Sequence, residues 1–253
     1  MLLFMMACSV GDPAPADIDT LAGYLFANFE SAEELSDGLA NLYLALDVVD
    51  YTADAKARSF TLSPLEESDV EGLNRPNRDP EACDSLGLAH QSLWPLEEHV
   101  AYMILDDLVP TSASASIYDR SFLEGDGECF VDRSCPVMRT VNTIRRESLF
   151  LDIEYELFKD YRWVTLSDGQ EAVLARGWIA ESAHSDGGAS HIYQNHELDV
   201  YFSDGSETRR LYVVWTESDY AGIDEATAWN LSLNSTQKAF ERLDEWIEEN
   251  QSL

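Results

Sequence analysis

Two Ser-Asp-Gly turns constrain the fold of this chain more than any other feature. They lie in Leu166-Ser167-Asp168-Gly169 and Phe202-Ser203-Asp204-Gly205. Asp-Gly supplies the φ > 0 positions that tight antiparallel hairpins require. One hairpin is expected from Arg162 to Ile179 and another from Glu197 to Trp215. Upstream, Leu151, Ile153, Tyr155 and Leu157 alternate with Asp152, Glu154 and Glu156, the period of a strand with one dry and one wet face. Val137 to Arg146 admits two readings. Val137, Val141 and Ile144 fit a helix, whereas the threonine and valine content favours a strand, and a strand is expected. Successive hairpins make an antiparallel meander sheet.

The flanks of this region carry helical spacing. Ile18, Leu21, Leu25 and Phe29 mark a first helix; Leu35, Leu39, Leu42, Tyr43 and Leu46 mark a second. Ser31 and Glu34 have the spacing of a capping box for the second helix. Residues Ser63 to Pro80 read as loop. Pro95 suits the first turn of a further helix, with Leu96, Val100, Met103, Ile104 and Leu108 on its apolar face and Pro110 ending it. Ser112 to Ser116 form a polar joint. At the end of the chain Ala239, Phe240, Leu243, Trp246 and Ile247 form one stripe, with Glu241, Asp244, Glu245 and Glu248 on other faces. Such a helix must bury its stripe, and the sheet is the expected receiver. The expected fold is α+β: N-terminal helices, an antiparallel meander sheet and a long C-terminal helix packed on the sheet. Residues 17–253 form a single domain, helical over 17–110, with the sheet and C-terminal helix over 116–250. That order resembles, in topology only, the helix-grip architecture of small-molecule-binding proteins.

Charge narrows the function classes. The chain has 48 acidic and 16 basic residues, a formal net charge of -32, and its only lysines are Lys56, Lys159 and Lys238. Such a surface repels phosphate backbones and excludes a nucleic-acid role. The acids are spread along the chain, as expected for solubility or salt adaptation. The best candidate metal site is Glu124, Asp126, Glu128 and Asp132 around Gly125 and Gly127, hard oxygen donors suited to calcium. It departs from an EF-hand loop, because Cys129 and Cys135 stand where that motif needs glycine and glutamate.

The four cysteines are Cys8, Cys83, Cys129 and Cys135. The spacing of Cys129 and Cys135 suits a small disulfide loop in an oxidising compartment. Residues Met1 to Ala7 are apolar or small and end at Cys8. This segment resembles the lipobox of bacterial lipoproteins, in which the cysteine is lipidated and the preceding peptide removed. The resemblance implies a membrane attachment through a lipid on Cys8, and it leaves Cys83 unpaired. Ser9 rather than Asp follows Cys8, which in that family implies the outer membrane or cell surface; periplasmic and cytoplasmic locations are the alternatives. Residues 1–16 then form a signal remnant, anchor and tether, with Pro13 and Pro15 in the tether.

Three further groups are candidates for chemistry. Arg162, Trp163, Arg176 and Trp178 bring arginine beside tryptophan in two strands of one hairpin, a pairing that can recognise an anion or a sugar. Asp152, Glu154 and Glu156 share a strand face, as glycosidase carboxylates can, although an exposed polar face explains them equally. Among His184, His191 and His196, His191 is the candidate base, with Ser190 and Asp186 nearby. No Gly-x-Ser-x-Gly turn, P-loop or dinucleotide-binding glycine pattern is present. The body resembles no family of known function. The sequence is read as an exported, lipid-anchored, non-catalytic binding protein of the cell envelope with an unidentified protein or small-molecule ligand and no required cofactor. One alternative is a carrier of a hydrophobic ligand in a sheet–helix cavity lined by residues such as Ile153, Tyr155 and Trp215; another is a hydrolase using carboxylates or a histidine.

Overall fold

The structure is a computed structural model that describes residues 13–109, 115–147, 152–220 and 222–250. Cys8, and with it the expected lipid attachment, lies outside the described residues, as do Pro110 and Leu151. The elements in chain order are α1 (Ile18–Ala27), α2 (Ala32–Asp47), β1 (Ser59–Phe60), β2 (Asp84–Ser92), α3 (Leu96–Met103), β3 (Ala115–Glu124), α4 (Gly127–Val131), β4 (Val137–Glu147), β5 (Asp152–Thr165), β6 (Glu171–Ile179), β7 (Ala183–His184), β8 (Ser190–Asp204), β9 (Glu207–Tyr220) and α5 (Glu225–Asn250). Short 3-10 turns cover Glu67–Val70 and Pro80–Ala82.

All described strand pairs are antiparallel and form one sheet in the order β1-β2-β9-β8-β6-β5-β4-β3, with β7 paired to β8. The meander from β3 to β9 is therefore the expected one. Both Ser-Asp-Gly turns are hairpins: Thr165 pairs with Glu171 across the first and Asp204 with Glu207 across the second. Gly169 and Gly205 have φ of 89° and 68°, conformations that glycine adopts without a Cβ penalty. The ambiguous 137–146 segment is the strand β4.

Three local expectations are corrected. The 17–110 region is not wholly helical, because β1 and β2 add to the sheet beyond β9. The signal of β2 was weak: Gly87 interrupts its apolar run, and it must be small because a Cβ there would stand 3.2 Å from the Leu62 side chain. The capping box of α2 is not formed, since Ser31 is the N-cap but makes no side-chain capping bond. The acidic loop near residue 127 contains a helical turn, α4, capped by Asp126 accepting from the Cys129 N–H at 2.8 Å.

Helices cover both faces of the sheet. On the outer face, α1 and α2 bury Leu21, Leu25, Phe26, Leu39 and Leu42 against Leu174 of β6, Leu198, Val200 and Phe202 of β8, and Leu211, Val213 and Trp215 of β9. On the inner face α5 buries Leu233 and Phe240 against Leu86 and Leu88 of β2. Consecutive residues of β8 thus enter different environments, as the period of two requires. No helix among the described residues is long and apolar enough to cross a membrane.

Candidate functional site

A cavity of about 700 Å³ lies between the inner face of the sheet and α5, within the range of small-molecule sites. Its apolar wall comes from Ile144, Leu157, Ile179, Ile192 and Val214 of the sheet and from Phe240 and Leu243 of α5. The sheet register organises the rest into rows. One row runs Lys159, Gly177, Glu197, Val214; the next runs Tyr161, Ala175, Asp199, Tyr212. Both rows put polar side chains on the cavity floor. Tyr102, Tyr118, Tyr155, Tyr161, Tyr201, Tyr212 and Tyr220 also line it, giving broad apolar faces with hydroxyls at their ends.

The charged groups differ in how fully they are engaged. Asp199 receives Arg210 through Nε at 2.8 Å and Nη2 at 2.7 Å, and the Tyr201 hydroxyl at 2.9 Å. Arg210 lies over the rings of Tyr201 and Phe240 at 4.6 and 4.4 Å. Burial opposes its charge, but Asp199 outweighs that effect and holds the guanidinium above its usual range. Arg120 sits behind Tyr161 and donates to Asn142 at 3.0 Å, to the Tyr161 hydroxyl at 3.1 Å and to the Met103 carbonyl. Arg146 donates to the Tyr155 hydroxyl at 2.8 Å. Lys159 is different. Its ammonium lies 3.9 Å from the Glu197 carboxylate, and among the described residues no acceptor is within hydrogen-bonding distance. Burial works against its charge, but Tyr161, Glu197 and Asp199 raise it above the usual lysine range.

The C-terminal half of α5 is fastened more fully than its first two turns. Asp244 accepts from Ser92 at 2.6 Å and lies 2.9 Å from His90 Nε2, while the Trp94 indole donates to its carbonyl at 3.2 Å. Burial alone would raise the Asp244 carboxyl; the His90 and Ser92 contacts outweigh it and keep it low. The buried residues of α5 begin at Leu233 and continue with Phe240, Leu243 and Ile247. Beside the first two turns a second cleft of about 780 Å³ shares Val214, Thr216, Tyr220 and Ser232 with the cavity and is flanked by Lys56, Asp84 and Trp229.

The structure distributes the expected site residues as follows. Arg162, Arg176 and Trp178 lie on the outer face, and Trp163 lies on the inner one. Arg176 donates to Asp160 at 3.2 Å and to Glu30 at 3.0 Å, and Arg162 also reaches Glu30, at 3.5 Å. Burial favours the neutral forms at this pair, raising the Asp160 carboxyl and lowering Arg176 despite their mutual attraction. Trp178 stacks on Phe158 at 5.8 Å and donates to the Asn74 carbonyl. Trp163 packs against Phe130 with Arg133 over its ring at 4.3 Å. Arg162 and Trp163 are adjacent in β5 and face opposite ways, whereas Arg176 and Trp178, two apart in β6, share the outer face with the guanidinium 5.7 Å from the indole ring; the two Arg-Trp pairs make no single cluster.

Among the described residues no group of three or more His, Cys, Asp or Glu side chains converges as metal ligands would. Glu124 pairs with Arg139 at 3.1 Å, Asp126 caps α4, Asp132 accepts from the Ser134 N–H at 2.8 Å, and Glu128 is exposed. The loop is closed instead by the expected Cys129–Cys135 disulfide. Cys83 is free and buried, and burial pushes its thiol up to about 12, which makes it a poor nucleophile. Glu154 and Glu156 are exposed, and Asp152 pairs with Arg145 at 3.0 Å. His191 stacks on Tyr193 and lies 3.0 Å from the Gly188 carbonyl. His196 is fully buried with its ring edge-on to Phe26 at 5.8 Å. Of the residues expected to line a cavity, Tyr155 does so; Ile153 is buried in a packed cluster with Ile144, Leu157 and Ile179 and does not line it; Trp215 lies on the outer face, beneath α1.

Sequence reasoning missed Lys159, Glu197, Asp199, Arg210 and Tyr212. The available signal was the rarity of lysine, with one of three placed inside a strand, and two acids spaced by one residue within a strongly apolar hairpin.

No family model matches this chain, and no curated protein matches it. Solved structures resemble it in chain path. A STAR-related lipid transfer protein fragment from Xanthomonas axonopodis has a TM-score of 0.47 and 9% identity, covering 71% of this chain and 89% of that one. Human StAR-related lipid transfer protein 5 has a TM-score of 0.43 and 10% identity, covering 87% and 98%. A START superfamily protein from Mycobacterium smegmatis has a TM-score of 0.40 and 8% identity, covering 65% and 97%. At these identities the likeness concerns the fold and leaves the chemistry of the cavity to be argued from its own residues.

Proposed function

We propose that this chain binds and carries a small amphiphilic molecule in the cavity beneath α5. The observation that supports this reading is the cavity itself: about 700 Å³ between sheet and helix, walled by aliphatic and tyrosine side chains. A chain using this layer only for stability would fill it, because a void forfeits packing contacts. The ligand enters beside the N-terminal half of α5, where the helix buries no side chain before Leu233 and where the second cleft joins the cavity. The carboxylates first considered for hydrolysis, Asp152, Glu154 and Glu156, are not among the cavity-lining residues.

N-phenyl-1-naphthylamine, a neutral dye that fluoresces on leaving water, tests the proposal. Saturable binding of about one dye per chain, displaced by dodecanol, is expected. Thr216→Trp places an indole in the cavity and is expected to abolish binding while preserving the far-ultraviolet circular dichroism. A folded chain that takes up no dye sinks the carrier reading. Attachment to a membrane through a lipid on Cys8 is a separate proposal, supported by the lipobox resemblance and tested by the intact mass of the native N-terminus.

A further inference from the structure

We propose that the carried molecule is an anionic amphiphile whose oxyanion head is held by the Lys159 ammonium on the cavity floor. This inference rests on the carrier reading and adds the class of ligand to it.

The first argument is charge balance. The protein carries a net charge of -32, yet the buried inner face is cationic. Lys159 and Arg210 line the cavity and Arg120 is buried behind it, against the acids Glu197 and Asp199. Glu147 at the rim is exposed and paired with Arg145 at 2.9 Å. Both oxygens of Asp199 are occupied by Arg210 and Tyr201. Unbalanced buried charge is costly unless something compensates it, and an anion in the cavity would do so.

The second argument is geometry. Lys159 has three N–H donors, one ionic partner at 3.9 Å and no described hydrogen-bond acceptor. The residue between Lys159 and Glu197 in their row is Gly177. With no side chain there, the floor stays bare beside the ammonium. A Cβ at Gly177 would meet the Phe158 carbonyl at 3.2 Å and the Glu197 Cβ at 3.7 Å. Tyr212, one row away, lines the same cavity, and its hydroxyl has no described hydrogen-bond partner. An ammonium and a hydroxyl donor beside an aliphatic wall suit an anionic head with an apolar tail. Carboxylate and phosphate heads share this chemistry.

A matched pair of dyes reads the preference directly. 8-Anilinonaphthalene-1-sulfonate carries a sulfonate on the skeleton of neutral N-phenyl-1-naphthylamine. The native chain is expected to bind the sulfonate about ten-fold or more tightly than the neutral dye, the scale of a charge-assisted hydrogen bond. Lys159→Met should abolish that preference, weakening the sulfonate about ten-fold relative to the neutral dye. Glu197→Gln removes the competing acid and should tighten the sulfonate alone. Displacement by dodecanoate, dodecyl phosphate and dodecanol then separates a carboxylate head from a phosphate, with the alcohol weakest. Equal affinity for the two dyes in the native chain, or a parallel change of both in Lys159→Met, overturns the head-group assignment and leaves the carrier reading standing. If neither dye binds the folded chain, both readings fall. If Lys159→Met does not fold, Glu197→Gln decides: unchanged or weaker sulfonate binding overturns the assignment.

Discussion

The two faces of the same sheet are built on different principles. In β8, Leu198, Val200 and Phe202 point outward into a layer closed by α1 and α2, while Glu197, Asp199 and Tyr201 point inward toward α5. The outer layer is filled by aliphatic and aromatic side chains, with Phe26 and Trp215 both fully buried, and its buried ion pair, Arg176 with Asp160, is closed on itself and on Glu30. The inner layer keeps a cavity and a set of buried charges. The outer face therefore supplies much of the stability, through apolar burial. The inner face gives some of it up, because voids and buried ions are poor stabilisers. Where a fold forgoes stability in one place, function is the usual reason.

The strongest way to break this comparison is to damage the outer layer. Trp215→Ala removes a buried indole that also donates to the Ser63 carbonyl at 2.9 Å. A loss of about 4 kcal/mol in urea unfolding is expected, with dye affinity unchanged wherever the chain remains folded. The inner face responds differently. Asp199→Ala leaves Arg210 buried without its carboxylate and is expected to cost about 3 kcal/mol. Replacing both partners, Asp199→Leu with Arg210→Met, should recover most of that loss, because the interior pair is not itself a large source of stability. No such rescue by paired substitution is available at Trp215. If the double replacement is as unstable as Asp199→Ala, the inner charges are structural and the contrast between the faces fails.

The contrast was only partly legible in the sequence. Hairpin turns and the terminal amphipathic helix were clear, since Asp-Gly and a 3.6-residue stripe are local signals. The strand β2 was not, because its place in the sheet depends on pairing with β9, a partner far along the chain. The site was hidden for a different reason. Alternation separates an apolar from a polar face, and an acid facing an internal cavity leaves the same pattern as an acid facing water. Glu197 and Asp199 thus looked like surface residues, whereas Glu154 and Glu156, with the same spacing, are exposed. Conversely Arg162 and Arg176 drew attention through their tryptophan neighbours, but both are committed to Glu30 on the outer face.

Acid sharpens the comparison, because each face buries one histidine with neither ring nitrogen partnered: His196 outside and His99 inside. Burial pushes His196 down to about 4, with Arg75 adding to the effect, and pushes His99 down to about 3, with Arg210 adding to it. The unfolded chain takes these protons below about pH 6.5, the ordinary histidine value, while the folded chain resists. Stability from these groups is therefore intact above pH 6.5 and declines as pH falls toward the folded values. At pH 5 the loss is about 2 kcal/mol for each histidine. Urea midpoints measured from pH 7 to 5 should fall less steeply in His196→Leu and in His99→Leu. His99→Leu should also alter binding of the anionic dye, since His99 neighbours Tyr201 at the cavity wall.

The smallest effect on stability gives the sharpest contrast. Ala22 in α1 is fully buried in the packed outer layer, and Ala239 in α5 lines the cavity. The same substitution, alanine to leucine, adds the same volume to each helix. In Ala22→Leu the added carbons have no space, and overpacking is expected to cost about 1–3 kcal/mol. In Ala239→Leu they enter the cavity, where new contacts offset the loss of side-chain entropy, so the change should lie within about 1 kcal/mol of zero. Dye binding should run the other way, kept in folded Ala22→Leu and weakened several-fold in Ala239→Leu. The opposed order of stability and binding is the decisive feature, since a general loosening of the fold would lower both together. If Ala239→Leu is as destabilising as Ala22→Leu and dye binding survives it, the layer beneath α5 is packed rather than open, and the difference between the two faces is one of polarity alone.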